Sequence, residues 1–280
     1  MFNLFSIHST SSAFKYPFSF QSSVNSFSVS ISNFKLSLIQ LSFSWIKFLA
    51  KLLKLEIIQK LSNGVYKKKD HVKPQDSQEL QDSQIINNNL KNEHYGVVHY
   101  DSPDERGIDV ALLYKKELFE LLHSETFTLY LEAENGERDF TRDILLVQGN
   151  LNDELVHILI NHWPSRRSGN DITEEKRIKA AELVTSIVHK INEETTNAKI
   201  IVMGDFNDNP TNISVKKYLV NDTFYNPMER LINTGNGTLN HKKKWHLFDQ
   251  IIFSKNFIEV EENKHSFKYA EIFDEHFLKE

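Results

Sequence analysis

Ile200-Ile201-Val202-Met203-Gly204-Asp205-Phe206-Asn207 is the stretch on which the reading of this chain turns. Four successive apolar residues read as a short strand buried on both faces. Gly204 then opens a turn that carries two polar groups. Asp205 and Asn207 are two residues apart, so both side chains can address one ligand. A carboxylate and an amide at that spacing can orient a water and hold a phosphoryl oxygen. The run Asp205-Phe206-Asn207-Asp208-Asn209-Pro210 also suits a plain Asx-turn, so the motif alone does not decide.

Working outward, the same grammar recurs. Leu155–Asn161 reads as another strand, with His162 just past it, and Asp249 opens the run that continues Ile251-Ile252-Phe253. Further strands are expected over Ile108–Tyr114, over Phe127–Glu132, and in Ile144-Leu145-Leu146-Val147 after Arg142. Asp171 and Glu174 are spaced as a capping box. Ile178, Ala181, Val184, Val188 and Ile191 then mark the apolar stripe of a helix. Strands interleaved with one long helix indicate an α/β domain built in layers. Polar residues just past strand ends gather in one crevice in such sheets. His162 taken singly also fits a structural histidine; the joint pattern is what carries weight.

Composition sets the outer bounds. The 280 residues carry a net charge of -5, but unevenly. Residues 1–75 hold ten Lys against two acids, a net of +8, and the remainder holds 23 Lys+Arg against 36 Asp+Glu, a net of -13. An acidic body gains little from counterion release on a polyanion, so if phosphates are its substrates they are expected to be handled locally, through a cation in a cleft. Cysteine is absent, which excludes disulfides, thiolate metal sites and a cysteine nucleophile. No uncharged apolar run is long enough to span a bilayer as a helix, which excludes a polytopic membrane protein and argues against stable membrane insertion.

Residues 1–93 are a different kind of sequence. The first 44 contain 14 Ser and no acid. They fit a targeting segment, an out-of-frame stretch joined to a real domain, or ordered native structure. A basic amphipathic helix is expected over Trp45–Leu61, followed by a linker over 62–93. The organisation expected is therefore a Ser/Lys-rich segment over 1–93 that does not belong to the fold, and a domain over 94–280.

Five segments together resemble the endonuclease/exonuclease/phosphatase superfamily: Asn161-His162-Trp163-Pro164-Ser165-Arg166, Gly204-Asp205-Phe206-Asn207-Asp208, Trp245–Ile252, Gly107–Tyr114 and Thr141–Val147. The last two are similar to its bacterial members. The resemblance covers about residues 94–280. It implies a deoxyribonuclease I-like four-layer α/β sandwich, present here in part, and a phosphoester hydrolase that uses Mg²⁺ or Mn²⁺. It implies that Asp205 orients the attacking water, that Asn207 holds a phosphoryl oxygen, and that His162 touches the scissile phosphate. Arg142 and Asn161 are matched to substrate binding. Asp249 is matched to the acid that pairs with a histidine near the domain's end.

The departures shape the expectation as much. The resemblance implies an Asn on the first core strand and a metal-binding Glu on the second, and neither is readable in residues 1–93. The Glu position falls near Gln75 if Leu80-Gln81-Asp82 sets the alignment. The closing Ser-Asp-His strand is replaced by Asp274-Glu275-His276, where Asp and His are not adjacent. The reading is thus of a hydrolase truncated at both ends of its domain and impaired, its metal ligands unassigned. The alternative is a non-catalytic fragment or binding remnant. The expected substrate is a phosphoester, with DNA as one candidate.

Overall fold

Alternating side chains on the central strands feed two separate apolar cores, and this division positions the site. The computed structural model describes residues 94–133, 135–167, 169–232 and 235–273, together with the backbone of short strands at 7–9, 26–31, 34–36 and 39–40. In chain order the elements used here are β1 (Tyr95–His99), β2 (Ala111–Lys115), β3 (Phe119–Phe127), β4 (Ile144–Leu151), β5 (Glu154–His162), α1 (Asn170–Glu194), β6 (Lys199–Asp205), β7 (Phe224–Tyr225), β8 (Asp249–Ser254) and β9 (Phe267–Phe273).

The main sheet has the order β7-β8-β6-β5-β4-β3. Only β5 and β6 are parallel within it; the other neighbours run antiparallel. A parallel pair needs a long crossover, and α1 supplies it. On one face Ile200, Val202, Leu159 and Ile252 pack with Ala180, Ala181, Val184, Ile187, Val188 and Ile191 of α1. On the other, Ile158, Ile160, Ile201, Met203, Ile251 and Phe253 pack with Val98, Leu112 and Tyr114 of β1 and β2. Helix, main sheet and second sheet therefore stack as successive layers of an α/β sandwich, as the sequence indicates.

Gly204 is required by the close approach of the two parallel strands. Its φ is +136°, and an added Cβ would lie 1.9 Å from the Asn161 carbonyl oxygen. Any other residue there would force β5 and β6 apart.

Several local expectations are corrected. The strand expected over Phe127–Glu132 is mostly Phe119–Phe127 instead, at the edge of the sheet, with only Leu131–Glu132 pairing beyond it. Edge exposure mixes its burial and obscures the alternation. Ile108–Val110 is not strand, because Asp109 turns to accept the Ser102 N–H. The capping box is not formed. The helix is preceded by Gly169 with no side-chain cap, and the Thr173 hydroxyl donates to the Gly169 carbonyl at 2.6 Å.

Within the N-terminal segment, Ser26–Ile31 runs antiparallel to β9 and Ile39–Gln40 pairs with β2. The helix expected over Trp45–Leu61, the linker over 62–93, Gln75 and Asp274-Glu275-His276 lie outside the described residues. Among the described residues, no helix is long and apolar enough to cross a membrane.

Candidate active site

The parallel pair β5 and β6 end at the same sheet edge where antiparallel β8 begins. Strand register then aligns His162 with Asp205 and Asp205 with Asp249. The period of two sets their direction. His162 follows Ile158 and Ile160, Asp205 follows Ile201 and Met203, and Asp249 precedes Ile251 and Phe253. All six of these apolar residues face the second sheet. The three polar side chains therefore emerge on one face, at the lip of the inter-sheet core.

His162 Nε2 lies 3.7 Å from Asp205 Oδ2, with side-chain exposures of 19% and 28%. Asp205 Oδ1 accepts the Asn207 backbone N–H at 2.8 Å, closing an Asx-turn. Asn207 sits at φ +50°, a left-handed conformation that asparagine tolerates. Its side-chain amide donates to the Trp163 carbonyl at 2.9 Å. The Asx-turn and the Trp163 bond together fix Asp205 and Asn207 against the end of β5.

Asp249 is buried, and its Oδ1 has no hydrogen-bond partner among the described residues. Burial, and then the neighbouring Asp205, push its pKa well above the ordinary aspartate value. Asp205 is also raised by burial, against the opposing pull of the Asn207 N–H and Arg142. Burial, then Arg142 and Arg106, hold His162 well below the usual histidine range, so its imidazole is neutral at pH 7. Such opposed shifts crowded at one edge are typical of functional sites.

Two expected substrate contacts are placed elsewhere. Asn161 shares the face of Leu159, one residue out of step with His162, and points into the helix-side core. Its side-chain amide donates to the Leu159 carbonyl and its Oδ1 accepts the Trp163 indole N–H at 3.0 Å each, and the side chain is fully buried. It orients Trp163, which packs edge-on against Phe206 at 4.7 Å. Arg142 is also buried. Its guanidinium donates to the carbonyls of His162 at 3.1 Å and Trp163 at 2.6 Å, and to Asp104 Oδ2 at 3.1 Å. It clamps the end of β5 from behind.

Three groups of residues escaped the sequence reading. Asp104 accepts hydrogen bonds from Arg106 and Arg142, and these outweigh burial and lower its pKa. Arg166 donates from Nε to the Asn207 carbonyl at 2.7 Å, pairs with buried Asp208, and lies over the Phe248 ring at 4.8 Å. Arg177, fully buried on α1, reaches the same Asp208 carboxylate at 2.8 Å. An Arg–Asp–Arg bracket thus holds the turn after Asp205 from beneath. Last, one ligating atom each of His99, Asp101 and Asp109 lie within 4.8 Å of one another. Polar spacing at helix positions could have flagged Arg177; nothing local in the sequence marks Asp104.

The chain is thus an α/β sandwich with a carboxylate–amide turn and a neutral histidine gathered at one sheet edge. The family model described as "Endonuclease/Exonuclease/phosphatase family" matches residues 47–280, and the chain belongs to that family. The match begins upstream of residue 94 and takes in part of the stretch read as helix and linker.

Solved structures are similar at low identity. The human Nocturnin catalytic domain, with bound sulfate, is 19% identical, with a TM-score of 0.44 over 61% of this chain and 64% of that one. A mannosyl-6-phosphatase from Bacteroides thetaiotaomicron is 15% identical, with a TM-score of 0.46 over 69% and 82%. Truncated TDP2 from Caenorhabditis elegans is 16% identical, with a TM-score of 0.44 over 60% and 64%. The chain spans 64% of the length of the first of these. No curated protein matches it.

Proposed function

We propose that the cleft at this sheet edge binds a phosphoester and hydrolyses it slowly with the help of a divalent cation. The observation that carries the reading is the alignment of His162, Asp205 and Asp249 on one face, with Asn207 locked against them. Asp205 holds the attacking water and takes its proton, a role suited to a carboxylate whose pKa burial has raised. Neutral His162 donates a hydrogen bond to a phosphoryl oxygen, and the Asn207 amide steadies the Asp205 turn. Arg142 places His162 through its carbonyl.

The donor set fits a hard cation in part. With Asp205 occupied by the water, the unpartnered Oδ1 of Asp249 offers one carboxylate oxygen, and a magnesium site often rests on one or two carboxylates. Mg²⁺ or Mn²⁺ held there would neutralise charge that develops on the phosphoryl oxygens. His99, Asp101 and Asp109 are a second donor group, whose imidazole favours Mn²⁺ over Mg²⁺.

The net charge of -13 over residues 76–280 favours small or single phosphoesters over tight duplex binding. Supercoiled plasmid and bis(p-nitrophenyl) phosphate, each incubated with Mn²⁺ and with EDTA, separate these substrates. Turnover of the chromogenic diester that EDTA abolishes supports the reading, and nicking of the plasmid alone redirects it to DNA. The second reading is a binding remnant, in which neutral His162 contacts phosphate without turnover. Phosphate binding without turnover of either substrate would establish it.

A further inference from the structure

Two guanidinium groups share the Asp104 carboxylate beside the candidate site, and they differ in exposure. Arg142 has a side-chain exposure of 3%, and its Nε, Nη1 and Nη2 donate to the His162 carbonyl, Asp104 and the Trp163 carbonyl. Arg106 shares the Asp104 carboxylate but has a side-chain exposure of 41%.

The turn that carries Arg106 is fixed by the same aspartate. The Gly107 N–H donates to the Asp104 carbonyl at 2.9 Å, and Gly107 takes φ +64°. The Arg106 backbone N–H donates to Asp104 Oδ1 at 3.0 Å, and its Nε and Nη2 lie 3.3 and 3.2 Å from the two carboxylate oxygens. One edge of the guanidinium is thereby docked, and the rest of the fork stays free for a ligand. Most of the side chain's order is already in place before binding, which lowers the cost of engaging an anion. Two guanidiniums share one carboxylate, so Asp104 does not neutralise both of them. Arg106 is also close enough to help depress the pKa of His162.

We infer that Arg106, through the open side of its Asp104-docked guanidinium, is a substrate-binding residue that donates to the non-bridging oxygens of the phosphoryl group. Arg142 is then a positioning residue: it holds β5 and completes the charge on Asp104. The phosphate-recognising arginine is the exposed one, in the turn between β1 and β2. This rests on the phosphoester reading above.

Calorimetric titration of the full chain with inorganic phosphate tests it, with R106Q, R106K and R230Q measured alongside and each melt recorded. Arg230 is exposed and lies over the Tyr225 ring. R106Q is expected to weaken phosphate binding about ten- to a hundredfold, the usual weight of a charge-assisted contact. R106K is expected to fall between, since it keeps the charge and loses the planar fork. R230Q should bind as the parent does. Parent-like phosphate affinity in folded R106Q, or an equal loss in R230Q, would overturn the inference and leave the phosphoester reading standing. A parent chain that neither binds phosphate nor turns over a phosphodiester would overturn both.

Discussion

The two ends of the same strands solve the burial of polar groups in opposite ways. Where β5 and β6 begin, Glu154 is buried but fully engaged: Oε2 accepts the His265 N–H and Nδ1 at 2.7 Å each, and Oε1 pairs with Lys199 at 3.1 Å. Lys199 also donates to the His265 carbonyl and lies 4.9 Å from the Phe257 ring centroid. Burial alone would raise the Glu154 pKa; the hydrogen bonds from His265 and Lys199 lower it instead. Where the strands end, Asp249 keeps an orphaned oxygen, Asp205 and Asp249 are raised, and His162 is depressed. The Glu154 network is satisfied and locks the tail after β8 onto the sheet, while His157 Nδ1 farther along β5 has no partner among the described residues. At the other end the Asp249 carboxylate keeps an oxygen with no partner among the described residues.

The contrast is open to test in order of expected effect. Glu154→Ala should remove about 3–5 kcal/mol of stability, because Lys199 is left buried without its partner. A denaturant titration that shows less than about 1 kcal/mol would mean the network adds little over its desolvation cost. At the other end, Arg166→Ala should lower stability by less than Glu154→Ala does, because Asp208 keeps Arg177, while slowing turnover about tenfold. It frees the Asn207 carbonyl and loosens the turn that aims Asp205. A fall in stability matching the fall in rate would demote Arg166 to a structural brace.

The smallest effect concerns pH. Burial lowers the pKa of His157 on β5, so below its ordinary value of 6.5 the unfolded chain takes up a proton that the folded chain refuses. The stability this histidine supports at neutral pH is therefore lost as pH falls through that range. His157→Gln should flatten the slope of melting temperature against pH between about 5 and 6.5. An unchanged slope would assign it to the other depressed histidines, His162 and His246.

The legible part of the molecule is the part that repeats with a period of two. His162, Asp205 and Asp249 could be read from the sequence because each extends an apolar strand by one step on a single face. Asn161 was misplaced for the same reason: one residue out of register puts a side chain in the opposite core, where it bonds Trp163. Arg142 lies beside His162 but is buried against carbonyls and Asp104, since sequence does not show whether a guanidinium points outward or back. Asp104 and Arg106 are hidden because a turn has no period, and the link from Asp104 to the site is a contact 38 residues away, from Arg142. Arg177 sits on a helix face that also carries Thr173 and Ala181, and only the fold brings Asp208 to it.

The central claim is that the unsatisfied end of these strands does phosphoester chemistry. It is tested most directly by the rate of bis(p-nitrophenyl) phosphate hydrolysis by residues 1–280 in Mn²⁺, beside Asp205→Ala. The account predicts slow turnover by the parent, abolished by EDTA and reduced about a thousandfold or to background in the variant, whose fold and melt are retained. Turnover that survives Asp205→Ala unchanged, or a parent with none under any divalent cation, would contradict it.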